Sequence, residues 1–285
     1  MFSCRKFPSA ILLVAVPLWG GPLSADPVAA EHKEGPLHAF LAVRDVNSKI
    51  IGTAEVSQVR KSGHMVTRVV FRLKDGSLLD ETTTFSQRDT FRLISDRVIQ
   101  KGPSFKLQME SILDAPSGQF TAKYQDEHGK QREIRRHLDV PADVCNGLIW
   151  TLLKNVDPGG PTTTVSMVSA SPKPRLVRLR FTAKGESVFS IAGTKRKATH
   201  FIIKTELTGP AKLVAPLVGK HPPEMEGWVL EDKVPTVFKF RGPLYEGGPV
   251  WQIEPAGPAG PQPSPKSGGG LGDPAESLAV VARTN

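Results

Sequence analysis

The chain lacks most of what would mark an enzyme or staple a small fold. Among its 285 residues there are 2 cysteines and 7 scattered histidines. It contains no Gly-x-Ser-x-Gly elbow, no phosphate loop ending in Gly-Lys-Ser/Thr, no His-Glu-x-x-His helix, no Cys-x-x-Cys pair and no dinucleotide-binding glycine fingerprint. The spacings that common acyl-transfer, nucleotide and zinc chemistries demand are therefore missing, and no catalytic residue, metal site or cofactor is expected. His137, Asp139 and Asp143 are the tightest set of metal-ligand types, and they read more simply as solvated and capping residues. The longest apolar run, Ala10 to Trp19, covers as a helix only about half of a ~30 Å hydrocarbon core, so no transmembrane segment is expected in the mature chain. Aromatic residues make up 7% of the chain and do not interleave with the basic clusters, so a stacking nucleic-acid partner is not expected either.

What is present begins with an address. Arg5 and Lys6 precede that apolar run, and Gly20, Gly21, Pro22 and Leu23-Ser24-Ala25 follow it. This is the order of a secretory signal peptide over residues 1–25, with cleavage after Ala25 or after Ala30, and it predicts a periplasmic or extracellular protein. Cys4 lies ahead of the run, where a lipoprotein cysteine would not, and leaves with the signal. The mature chain then has Cys145 as its one thiol, which excludes an intramolecular disulfide and reads as an inert core residue.

After a flexible lead-in at 26–37, the dominant signal over 38–254 is alternation. Gln119 to Tyr124 swaps polar and apolar at each step, as does Val177-Arg178-Leu179-Arg180-Phe181. Met65, Val69, Phe71 and Leu73 alternate with Arg68 and Arg72, and Phe238 and Phe240 with Lys239 and Arg241. These are half-buried strands. Turn signals at Ser62-Gly63, Asp75-Gly76, Ser117-Gly118, His128-Gly129 and Lys184-Gly185 predict an antiparallel meander. One segment has helical spacing instead: Val144, Leu148 and Leu152 share one row and Cys145, Ile149 and Leu153 the next, which predicts a helix over 141–154. Asp139 would cap it, Pro141 would open it and Asp143 would sit near its positive end. The expected fold is mainly β: one long curved antiparallel sheet, a half-barrel or open barrel, packed against that central helix. Residues 255–285, with twelve Gly and Pro between Pro255 and Pro274, read as a disordered tail.

Lysine and arginine exceed aspartate and glutamate by 37 to 28, a net charge of +9 that falls to +7 once Arg5 and Lys6 are removed. The excess gathers at Arg132, Arg135 and Arg136, at Arg178 and Arg180, and at Lys195 to Lys197. It predicts a basic outer face able to approach an anionic envelope surface. The apolar loop 209–223 carries Leu213 and Leu217 among Gly and Pro, and Trp228, Tyr245 and Trp251 follow it. These five residues are the candidate ligand-binding set for an apolar or lipid ligand.

The blocks at 75–105, 139–155 and 209–254 resemble a family of uncharacterised exported bacterial proteins, a resemblance that implies no catalytic residues. The architecture is distantly similar to the half-barrel of Lol-type lipoprotein carriers, which implies lipid or lipoprotein handling. The leading expectation is an exported, non-enzymatic binding module for an apolar or lipidic ligand or envelope component. A second expectation is a hydrolase-like enzyme whose carboxylates, such as Asp80, Glu81 and Asp96, come together from separate strands. A third is a structural envelope protein with an open sheet edge.

Overall fold

The computed structural model of the chain describes residues 27–191, 193–207 and 222–256. The expected signal peptide, Leu213, Leu217 and nearly all of the expected tail lie outside the described residues. Within them the chain is mainly β. The strands are β1 (Leu37–Arg44), β2 (Ile50–Lys61), β3 (His64–Leu73), β4 (Leu78–Gln87), β5 (Phe91–Lys101), β6 (Met109–Asp114), β7 (Gln119–Gln125) and β8 (Gln131–His137). After the short helix α1 (Ile149–Leu153) come β9 (Thr163–Val168), β10 (Leu176–Ile191), β11 (Thr194–Leu207), β12 (Met225–Leu230), β13 (Thr236–Gly242) and β14 (Trp251–Pro255).

All 14 described strands belong to one antiparallel sheet in the order β8-β7-β6-β5-β4-β3-β2-β1-β14-β13-β12-β11-β10-β9, which does not close into a barrel. It is two meanders, β1–β8 and β9–β14, joined where the first strand meets the last. That seam pairs Leu41 with Pro255 and Arg44 with Gln252, and the Arg44 Nε–H donates to Glu254 Oε1 across it at 2.5 Å.

Alternation places the core as the sequence implies. Val177, Leu179 and Phe181 are buried while Arg180 is exposed, and Phe120 and Ala122 are buried while Gln119 and Lys123 are exposed. Phe85 and Phe120 of the first meander, Phe181 and Phe201 of the second, and Leu148 and Leu153 between them belong to one core. Each such side chain contributes roughly 1.5–3 kcal/mol by burial.

Two elements differ from the sequence reading. The helix spans Ile149–Leu153 and not 141–154, and its N-cap is Leu148 with no side-chain cap bond, so Asp139 does not cap it. The preceding residues pair with β9 instead. The Cys145 N–H donates to Ser166 O at 2.8 Å, Ser166 Oγ donates to Asp143 Oδ2 at 3.1 Å, and the Asn146 amide accepts from Val168 N–H at 2.9 Å and donates to Val168 O at 2.7 Å. Those strand-like bonds, and Gly147 at φ +66, hold the chain out of helical geometry until Leu148. The second difference is Lys184-Gly185, which is not a turn. Gly185, at φ +127, sits inside β10 where the pairing with β11 slips between Ala183 and Gly185, a β-bulge in a strand that continues to Ile191.

Described residues ahead of β1, where the sequence suggests a flexible lead-in, hydrogen-bond to the fold. Ala30 N–H donates to Asp89 O at 2.9 Å, His32 N–H to Asn155 Oδ1 at 2.7 Å and Glu34 N–H to Gln87 Oε1 at 2.6 Å, and Glu34 ion-pairs with Lys154. Among the described residues no helix is long and apolar enough to cross a membrane.

Candidate functional site

The 143–153 segment lies between the two meanders. Gly147 packs so closely on β4 that a Cβ there would fall 1.9 Å from Thr83 Oγ1, and Leu153 packs against Gly227 of β12. Trp150 has the Phe71 ring of β3 edge-on at 6.5 Å and the Phe240 ring of β13 at 5.9 Å. Beside this segment is a cavity of about 540 Å³. Its walls are Val69, Phe71, Leu79 and Val98 from the first meander, Met167, Val177, Met225 and Phe240 from the second, and Ile149 and Trp150 from the segment itself. Leu244 and Tyr245, after β13, also line it.

Two carboxyl groups enter these apolar surroundings. Glu81 of β4 lies in register with Val69 of β3 and Val98 of β5, and Asp96 of β5 lies in register with Thr83 of β4. The two acids are therefore diagonal neighbours on one face of adjacent strands, and both line the cavity. Asp96 is 3% exposed, and its Oδ1 accepts from Thr83 Oγ1 at 3.0 Å. The Glu81 carboxyl has no hydrogen-bond or ion-pair partner among the described residues. Burial, then the neighbouring Asp96 charge, raises Glu81 to about 8. Burial raises Asp96 to about 7 against the opposing pull of hydrogen bonds from Thr83 and Asn146. Asp96 is buried and Glu81 half-buried, its carboxyl facing the cavity, and the loss of water around them with their mutual proximity favours the protonated forms near neutral pH. Arg175 and Glu246, both exposed, stand at the cavity's rim.

Of the five candidate binding residues, Leu213 and Leu217 lie outside the described residues and Tyr245 lines the cavity. The Tyr245 hydroxyl donates to Ser104 O at 2.7 Å, and its ring meets Phe105 at 4.8 Å and Trp251 at 6.0 Å. Trp251 itself is a core side chain, 4% exposed. Trp228 lies elsewhere, stacked on His200 at 4.5 Å with Lys239 Nζ 5.1 Å from its ring. Trp228 and Trp251 instead line a smaller depression of about 270 Å³, whose Glu226 is already engaged by His200 and Arg241.

Of the three carboxylates named for acid–base work, Glu81 and Asp96 meet and Asp80 does not. Asp80 points to the opposite side of β4, where Arg68 clasps it with two bonds of 2.9 and 2.6 Å. Sequence reasoning missed Trp150, Met167, Phe240 and Arg175 as cavity residues and Asn146 as a carboxyl partner. The readable signal was the phase of β4, in which Leu79, Glu81, Thr83 and Phe85 alternate inward.

Cys145 is free and buried, and burial pushes its thiol further from ionisation. Among the described residues no three His, Cys, Asp or Glu side chains gather as a metal would require. The basic clusters carry acidic partners: Arg132 with Asp126, Arg135 with Glu133, Arg180 with Glu206, Arg196 with Asp232 and Lys197 with Glu186. Compared with known proteins, the chain matches no family model, no curated protein and no solved structure.

Proposed function

We propose that the protein is an exported binding module whose sheet curls around the 143–153 segment and holds an apolar or lipidic ligand in the cavity between them. The observation that carries this reading is the cavity itself: about 540 Å³ falls within the roughly 300–1,000 Å³ of ligand pockets, and its wall is mostly hydrocarbon and aromatic. The curl is supported by a distance. β5 and β13 are six places apart in the sheet order, about 29 Å if the sheet were flat, yet the loops next to them are joined by the Tyr245–Ser104 hydrogen bond. Export rests on the charged, apolar and small-residue order of residues 5–25. An anionic envelope surface remains a proposed partner for the outer face, weakened by the ion pairs that already engage its arginines.

Native mass spectrometry of protein purified under mild conditions from its own source tests the reading. A bound mass that organic extraction removes, and that is absent when Val98→Trp fills the cavity, is the expected result. Protein that purifies empty, and that enhances the fluorescence of neutral phenylnaphthylamine no more than Val98→Trp does, removes the basis for it.

A second reading, acid–base catalysis, is favoured by the meeting of Glu81 and Asp96 in one cavity. The two readings part on turnover: an enzyme consumes an ester or glycoside probe in a manner abolished by Asp96→Asn, whereas a carrier returns its ligand unchanged.

A further inference from the structure

The binding reading leaves the head group of the ligand unassigned, and the inference here rests on that reading. Glu81 and Asp96 are placed to carry like charge side by side at an apolar wall. No Lys, Arg or His ion-pairs with either among the described residues. The charged and titratable groups nearest them do not supply the missing sign. Asp143 and the Cys145 thiol are acidic, Glu246 at the rim is a carboxylate, and Arg175 is exposed at the mouth and is not among the groups that act on either carboxyl. An isolated buried carboxylate is costly unless it is paired or protonated. Without a ligand this pair keeps its protons up to about neutral pH; a ligand of the right sign lets it release them at lower pH.

We propose that the ligand is an apolar molecule bearing a single amino group, its ammonium seated between the Glu81 and Asp96 carboxylates and its hydrocarbon body along Val69, Val98, Trp150 and Met167. A neutral hydroxyl would leave the like charges uncompensated. A divalent metal ion would want a third ligand and a polar shell, and the walls are apolar. A primary ammonium offers three donors and one charge, and in a water-poor site each bond to a carboxylate is charge-assisted. Binding therefore expels protons from the pair, so affinity increases as the pH rises from about 5.5 to about 8, the range over which the empty site gives them up.

Isothermal titration of the full chain with decylamine, decanol and decanoic acid, each below its aggregation concentration, tests this. Decylamine is expected to bind at least about tenfold more tightly than decanol at pH ~8, to lose about tenfold or more at pH ~5.5, and to release protons in buffers of differing ionisation enthalpy. Glu81→Gln and Asp96→Asn should each weaken decylamine by about tenfold or more while leaving decanol within about threefold. Both variants replace an ionisable carboxyl with a neutral amide of similar shape, and thermal melting checks that they fold. Decanol binding as tightly as decylamine, or decylamine binding indifferent to both substitutions, overturns the amine and leaves the apolar cavity standing. A preference for decanoic acid overturns it in favour of a head group at Arg175. If none of the three binds, the cavity reading falls with it.

Discussion

Asn146 does the work of a strand residue without being in one. Its amide meets both backbone groups of Val168 and also supports Asp96, so one side chain anchors the segment to β9 and tunes an acid on β5. Gly147 beside it combines a left-handed φ of +66 with a contact on Thr83 that leaves no room for a methyl group. Gly147→Ala is expected to cost roughly 2–3 kcal/mol in urea unfolding, backbone strain and steric overlap together. It should also shift the titration of Asp96, because Thr83 has to move. A loss under about 0.5 kcal/mol would mean that the segment relaxes away from β4. At this scale the sequence was half legible. Glu81 follows the inward phase that Phe85 sets in β4. Asp96 does not follow Phe91 and Leu93, which share its strand: the pairing passes from Thr84–Ser95 to Phe85–Leu93 and skips Ile94. That bulge reverses the phase of β5 and brings a residue of outward parity inside, and neither Ile94 nor Ser95 announces it.

The elements show where periodicity informs and where it misleads. Alternation located the strands because one face of each is buried, whereas the apolar row of 144–153 suited a helix equally well as a segment packed by tertiary contacts. Gly185 carries the same chemical signal as a turn glycine, and only the partner strand reveals that the chain runs on through a bulge. The two ends of the sheet are guarded differently. β8 is almost wholly exposed and studded with Arg132, Glu133, Arg135 and Arg136, charges that discourage pairing with another chain. β9 has its free edge occupied by residues 143–146. The last strand is the most sensitive element. A chain ending at residue 256 is expected to melt within a few degrees of the full chain, whereas one ending at 248 loses Trp251 and Ile253 from the core, exposes the flanks of β1 and β13, and should lose cooperative unfolding altogether. Differential scanning calorimetry of the two truncations distinguishes these outcomes.

For the molecule as a whole, the Glu81–Asp96 pair writes a slope into stability against pH. Both groups hold protons more tightly when folded than the ~4 of an unfolded carboxyl. Their contribution is therefore complete only below that unfolded value and is lost progressively as the pH rises from there to about 7 for Asp96 and about 8 for Glu81. Asp75, Asp114 and Asp126 act in the opposite sense. They are held low by hydrogen bonds from Ser104, Ser117 and Arg132 respectively, but they change protonation only in stronger acid. The urea midpoint of the ligand-free protein is thus expected to fall between pH ~5.5 and ~8, by up to about 1.4 kcal/mol per pH unit for each proton difference. The Glu81→Gln, Asp96→Asn double variant should flatten that fall and be the more stable protein at pH ~8. Equal slopes in the two proteins would mean that the pair is more hydrated than its burial implies. The sheet class was legible from strand phase and turn spacing, but the strand order was not, because nothing in either terminal strand names its partner.

The pairing of first strand with last has a consequence for biosynthesis. Arg44 and Glu254 touch across 210 residues of sequence, so each meander can zip up as it leaves the ribosome while the middle of the sheet waits. Until β14 emerges, β1 presents an unmated ladder with Leu41 and Val43 along it, and loop closure over that span is slow. Chaperone occupancy during synthesis should therefore concentrate on nascent chains that already contain β1 and have not yet delivered their final strand.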